Sequence, residues 1–151
     1  MIEVEVFAQV HPTEDESRVH AAIEKIFPGL EYQLEEIEGM TPRLVARGGK
    51  DRLYMLHELL RNHKILDTAR TNIHIEGNVV TFILNKQVAT AGKVSFPADE
   101  ESLGSIWVEI RTDNHTVAER VVDWLAPPTE HGQPLFEIEL EASHLYNDRP
   151  T

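Results

Sequence analysis

The stretch Ile2-Glu3-Val4-Glu5-Val6-Phe7-Ala8-Gln9-Val10 decides the fold. Ile2, Val4, Val6, Ala8 and Val10 fall on one phase, and Glu3, Glu5, Phe7 and Gln9 on the other. Side chains of a strand point alternately to opposite faces, so this period of two describes a half-buried strand. A sheet of such strands has one face on a core and one in water, which an antiparallel arrangement permits. The helices must then cover one side only.

Reading outward, His11-Pro12 ends this strand, and Thr13-Glu14-Asp15-Glu16 predicts a helix start. Thr13 is the expected N-cap, with Glu16 closing a capping box. Val19, Ala22, Ile23, Ile26 and Phe27 form the apolar stripe of that helix, and Pro28-Gly29 stops it. Leu30, Tyr32 and Leu34, reaching Ile37 at most, mark a second strand, and Arg43 to Arg47 a third, with Gly39 and Pro42 in the turn between.

Asp51 to His74 is helical by pattern, but not as one rod. At about 100° per residue, Leu53, Leu56, Leu59 and Leu60 share one face. Ile65, Leu66, Ala69 and Ile73 share another, rotated by roughly 130°. One straight helix cannot bury both sets against a flat sheet, which predicts a break near Asn62 to Lys64. Asn78 to Leu84 is nearly all apolar or β-branched and reads as a central strand. Val94 to Phe96, Ile106 to Arg111 and Phe136 to Ala142 are further strands, and Val117, Val121, Trp124 and Leu125 mark a last helix before Pro127-Pro128. The pattern gives about seven strands and about four helices. The expected fold is α+β: a two-layer sandwich of a mixed, largely antiparallel sheet with helices on one face. No repeat or linker divides the chain, so residues 1–146 are expected to form a single domain and 147–151 a tail.

A chain of 151 residues is long enough to bury a core without staples. It has no cysteine, which excludes disulfides, thiolate metal sites and cysteine nucleophiles. The acidic, alternating start is unlike a signal peptide, and no apolar run approaches the roughly 20 residues of a membrane span. The expected location is the cytoplasm. The eight histidines show no metal-ligand spacing. The carboxylate rows Glu3/Glu5 and Glu137/Glu139/Glu141 read as solvated strand faces rather than acid–base pairs. Gly48-Gly49-Lys50 lacks the spacing of a phosphate loop, and Ser143-His144 lacks the context of a nucleophile elbow. The expectation is a non-enzymatic protein with no cofactor and no metal.

The net charge of −12 runs against nucleic acid, whose binders usually show a basic footprint. The charge is uneven, however. From Arg43 to Lys93 there are nine Lys or Arg and four Asp or Glu, so that region carries 9 − 4 = +5 and the remainder −12 − 5 = −17. The candidate nucleic-acid-binding residues lie there: Arg43, Arg61, Lys64, Arg70, Lys86 and Lys93, with Asn85 and Gln87 offering amides. Phe7, Tyr54 and Trp107 are the aromatic candidates for base stacking, but ordinary burial preference assigns each to the core. Phosphate and shape recognition is therefore expected. The alternative is an adaptor whose acidic faces meet a basic protein partner.

Four stretches carry a family resemblance. They are Leu59 to Arg70 (Leu-Leu-Arg-Asn-His-Lys-Ile-Leu-Asp-Thr-Ala-Arg), Phe82 to Phe96 (opening Phe-Ile-Leu-Asn-Lys-Gln), Leu103 to Ile110, and Asp123 to Thr129. With Pro12-Thr13-Glu14-Asp15, they make the chain similar to the archaeal uncharacterised protein family 0201 over about residues 1–130. Asn62 and His63 stand where that family tends to a denser basic cluster, and Val88 where a small Ala is usual. The resemblance implies a fold like that of large-subunit ribosomal protein five. It also implies RNA binding, in a family with no established enzymatic activity, and a link to the archaeal exosome; the adaptor alternative would take a basic ribosomal or exosome protein as its partner.

Overall fold

The computed structural model describes residues 1–97 and 104–140. The alternating stretch forms β1 (Glu3–Gln9). It is followed by α1 (Glu16–Ile26), β2 (Glu31–Glu35) and β3 (Arg43–Gly49). A 3-10 turn (Lys50–Leu53) leads into α2 (Tyr54–Asn62) and α3 (Leu66–Asn72), then β4 (His74–Glu76), β5 (Val79–Asn85) and α4 (Lys86–Thr90). The described chain continues through β6 (Ser105–Arg111), α5 (His115–Leu125) and the short strands β7 (Thr129–Glu130) and β8 (Gln133–Pro134). Six strands make one sheet in the order β2-β3-β1-β6-β5-β4, and β7 and β8 form a separate hairpin. Every neighbouring pair in the sheet is antiparallel.

One phase of each strand builds the core. Val4, Val6 and Ala8 of β1, Ile106, Val108 and Ile110 of β6, and Val80, Phe82 and Leu84 of β5 are all buried. They join the buried stripes of the helices, including Ile23 and Ile26 of α1, Leu56 and Leu60 of α2, and Trp124 and Leu125 of α5, in one cluster. Each large side chain so buried contributes roughly 1.5–3 kcal/mol. The opposite phase, with Phe7, Val45 and Trp107, lies outside that cluster. The fold is thus the expected α+β arrangement, with helices packed on one face of an antiparallel sheet.

The break between α2 and α3 falls where the rotated stripes place it. Lys64 adopts a left-handed φ of 57°. The Lys64 N–H donates to the Arg61 carbonyl at 3.1 Å and the Ile65 N–H to the Leu60 carbonyl at 3.1 Å. This paired pattern is the Schellman motif, whose left-handed position usually holds Gly. A side chain there costs roughly 1–2 kcal/mol, which the separate burial of Leu60 and Leu66 offsets.

Other expectations need correction. Asp15, not Thr13, caps α1, accepting the Ser17 N–H at 3.0 Å. Glu14 turns back to accept from the His11 N–H at 2.9 Å and from Lys86 Nζ at 2.9 Å, so the helix starts after it. Val94 to Phe96 is not a strand; a single backbone bond, Asn85 N–H to the Ser95 carbonyl at 2.9 Å, ties it beside β5. The described part of Phe136 to Ala142 is not a strand either, because among the described residues the nearby pairing joins Gln133–Pro134 to Thr129–Glu130. Leu140 nonetheless reaches the core, and Ile138 packs against it. Glu141, Ala142, Ser143-His144 and the predicted tail lie outside the described residues, as does Leu103. Four elements go beyond the sequence expectation: β4, α4 and the two strands of the β7–β8 hairpin.

Candidate nucleic-acid interface

The sheet face away from the helices is built from the outward phases of its strands. In register, Phe7 lies opposite Val45 on one side and Trp107 on the other, and Trp107 lies opposite Ile83. Val45, Phe7, Trp107 and Ile83 therefore form an apolar row across β3, β1, β6 and β5. The Phe7 and Trp107 rings are nearly parallel, 5° apart in plane with centroids 6.0 Å apart. Both are half-buried. The Arg43 guanidinium sits 4.5 Å from the Phe7 ring centroid and is held by Glu35 at 2.8 Å. Aromatic faces attract such cations, more strongly when water is excluded.

The next row is charged. Glu5 lies opposite both Arg47 and Glu109, and Glu109 opposite Thr81. Like charges directly across strands repel, and two arginines relieve that repulsion. Arg47 donates to Glu5 at 2.7 Å, and Arg111 donates to Glu109 at 2.8 Å and to Glu5 at 3.3 Å. A cleft opens beside Trp107 and Phe7, lined also by Asn72, His74, Thr81 and Glu109.

The residues singled out in the sequence are distributed over several places. Arg43 alone reaches the apolar row. Arg61 directs all five of its N–H donors inward: to both Glu137 oxygens at 3.0 and 2.7 Å, and to the carbonyls of His57, Leu125 and Trp124 at 3.0, 2.9 and 3.1 Å. Arg70 bonds Asp123 at 2.8 Å and the Ala126 carbonyl at 2.9 Å. Both arginines thus gather at the carboxyl end of α5, where a cation complements the helix dipole. Lys86 is 3% exposed, bonded to Glu14 and to the Gln9 carbonyl. Asn85 caps α4 by accepting the Val88 N–H at 2.9 Å. Lys64, Gln87 and Lys93 are exposed on the turn after α2, on α4 and in the segment after α4.

Titration follows these contacts. The Arg61 hydrogen bond holds the Glu137 carboxyl below the usual carboxylate range. Burial raises Glu14, but the His11 N–H and Lys86 together outweigh it, and its carboxyl also lies low. Burial, then the neighbouring Arg61 charge, lowers His57, whose ring stacks on Trp124 at 4.4 Å. No group of His, Asp and Glu suited to a metal ion occurs among the described residues, and no described helix is long and apolar enough to cross a membrane.

Two aromatic residues assigned to the core by burial preference, Phe7 and Trp107, lie instead at the centre of the open face. The signal that finds them is phase: Phe7 alternates with the buried set of β1, and Trp107 shares its parity with Glu109 and Arg111. Tyr54 is exposed and meets Trp124 edge-on, with centroids 5.2 Å apart.

A family model described as RNA binding matches residues 3–112. The UPF0201 protein of Methanosarcina acetivorans is 43% identical, covering 93% of this chain and 94% of its own length. That of Saccharolobus solfataricus is 42% identical, covering 91% and 95%. The crystal structure of the UPF0201 protein from Methanococcus jannaschii superposes with a TM-score of 0.78 at 32% identity, covering 89% of this chain and 99% of that one.

Proposed function

We propose, from the premise that this chain belongs to the UPF0201 family, that it is a non-enzymatic cytoplasmic protein that binds single-stranded RNA across the open face of its sheet. The observation that carries this reading is the parallel Phe7–Trp107 pair, half-buried on the two middle strands. Unpaired bases stack on such rings, and each stacked base contributes about 1–3 kcal/mol. A duplex keeps its bases inside, so it offers the rings nothing to stack on. Arg43, at the rim of the pair, is the member of the basic middle third that this reading uses for a phosphate. With few free cations on the face, salt dependence is shallow, at about 0.7 in the slope of log K against log salt per phosphate contact. The acidic remainder of the surface suits a basic protein partner within a ribonucleoprotein, of the ribosomal or exosome kind.

The test is fluorescence anisotropy of labelled single-stranded and duplex RNA. The protein should bind the single strand in preference, and Trp107→Ala should weaken that binding by about 5- to 150-fold with the melting temperature kept. Unchanged affinity in Trp107→Ala, or a preference for duplex, would overturn the proposal.

A further inference from the structure

The cleft beside Trp107 carries more recognition chemistry than stacking requires. Its volume is about 390 Å³, within the roughly 300–1,000 Å³ of small-ligand sites. Phe7 and Trp107 give it a flat apolar wall, and Asn72, His74, Thr81 and Glu109 give it polar groups. Those groups are mostly unmatched acceptors. Asn72 donates its amide N–H to the Thr68 carbonyl at 2.8 Å, which leaves its carbonyl oxygen open. Glu109 accepts one bond from Arg111 at 2.8 Å, and a carboxylate has about four lone-pair sites. Neither the His74 ring nor the Thr81 hydroxyl makes a hydrogen bond among the described residues.

A pair of carboxylate oxygens matches two adjacent donors. Among the four RNA bases, guanine alone presents two neighbouring donors on its Watson–Crick edge, the ring N1–H and the 2-amino group. Adenine and cytosine each set one amine beside a ring lone pair, which would face the second oxygen and repel it. Uracil sets one N–H between two carbonyls. Resting on the RNA-binding reading above, we propose that this cleft is a guanine-selective base pocket. Trp107 supplies the stacking surface and Glu109 accepts from the guanine edge. Arg111 is a positioning residue, holding the Glu109 carboxylate through its bond at 2.8 Å.

The experiment measures affinity for short uridine oligonucleotides with one central guanosine, adenosine or inosine. The guanosine strand should bind about 10-fold more tightly than the adenosine strand. Inosine, which lacks the 2-amino group, should lose most of that gain. Glu109→Gln keeps the size and the bond from Arg111 but replaces one acceptor with a donor. It should weaken guanosine binding and, because the new donor meets adenine's ring lone pair, strengthen adenosine binding, so that the preference of about 10-fold for guanosine is lost, with the melting temperature unchanged. Equal binding of guanosine and adenosine by the unmodified protein would overturn the guanine pocket while leaving the stacking platform standing. So would inosine matching guanosine, or a guanosine preference that survives in Glu109→Gln. Failure to bind all three strands would instead overturn the RNA reading itself.

Discussion

The carboxyl end of α5 and the open face of the sheet both gather arginines, and they use them in opposite ways. At α5, every N–H donor of Arg61 meets an oxygen of the same chain, and Arg70 bridges Asp123 to the carbonyl of Ala126, the residue that caps the helix. These are fastenings. On the open face, Arg43 lies over an aromatic ring with its side chain 40% exposed, beside a row of rings that no described helix covers. The difference teaches that counting cations along a chain locates charge, not availability. Availability belongs to groups whose valences remain open after folding, and on the open face these are mostly π-faces and acceptors.

Three substitutions separate the two regions. The largest effect is expected from Arg61→Met. It removes charge-assisted bonds of about 1.5–3 kcal/mol each and leaves the Trp124 and Leu125 carbonyls without partners. A loss near 3 kcal/mol in urea unfolding, or roughly 6–12 °C in melting temperature, is expected, with RNA affinity of the folded protein unchanged. A protein of normal stability but weakened RNA binding would reverse the contrast and make Arg61 a contact residue.

Arg43→Gln sits between. It should weaken single-strand binding by about 3- to 10-fold and reduce the salt slope by about 0.7. Stability should change by about 1 kcal/mol, since the Glu35 pair is only partly buried and remains open to solvent screening. Equal salt slopes before and after would remove Arg43 from the interface.

The smallest effect concerns pH. The Glu137 carboxyl is held low by Arg61, so the folded state favours its ionised form. The resulting stability is fully present above the unfolded carboxylate value of about 4.3 and is lost as pH falls through the lower folded value. Because Glu137 is half-exposed, solvent screening keeps the contribution under about 1 kcal/mol. Glu137→Gln should flatten the acid limb of a stability-against-pH curve by that amount. An unaltered acid limb would show that Arg61 is satisfied by the backbone carbonyls alone.

Much of the fold was legible because periodicity reports burial directly. The alternation of β1 separated the two faces, and the rotation of the leucine stripes located the turn at Lys64. The failures have physical causes. The strand β4 is three residues long, too short for any period to register. The helix α4 begins at the residue after β5 ends, so one helical turn looks like a loop behind a strong strand. Phe136 to Ala142 alternates, but alternation shows only that two sides differ. A strand also needs a partner edge, and the described residues there find none beyond the β7–β8 hairpin. The candidate site was less legible. Lys86 reads as a solvated loop cation until its pairing with Glu14 is visible, and that pairing crosses 72 positions of sequence. Phe7 and Trp107 carried the opposite lesson, since their phase already placed them with the outward polar residues and burial preference alone drew them inward.

The ends of the sheet have a consequence for self-association. One border is β2, whose outward positions are Glu31, Gln33 and Glu35; the other is β4, which offers three residues. A neighbouring copy seeking to extend the hydrogen-bond ladder meets repulsion at one margin and too little backbone at the other. The protein should therefore stay dispersed when crowded, resisting cross-β growth even though the described helices leave one broad side of the sheet unroofed.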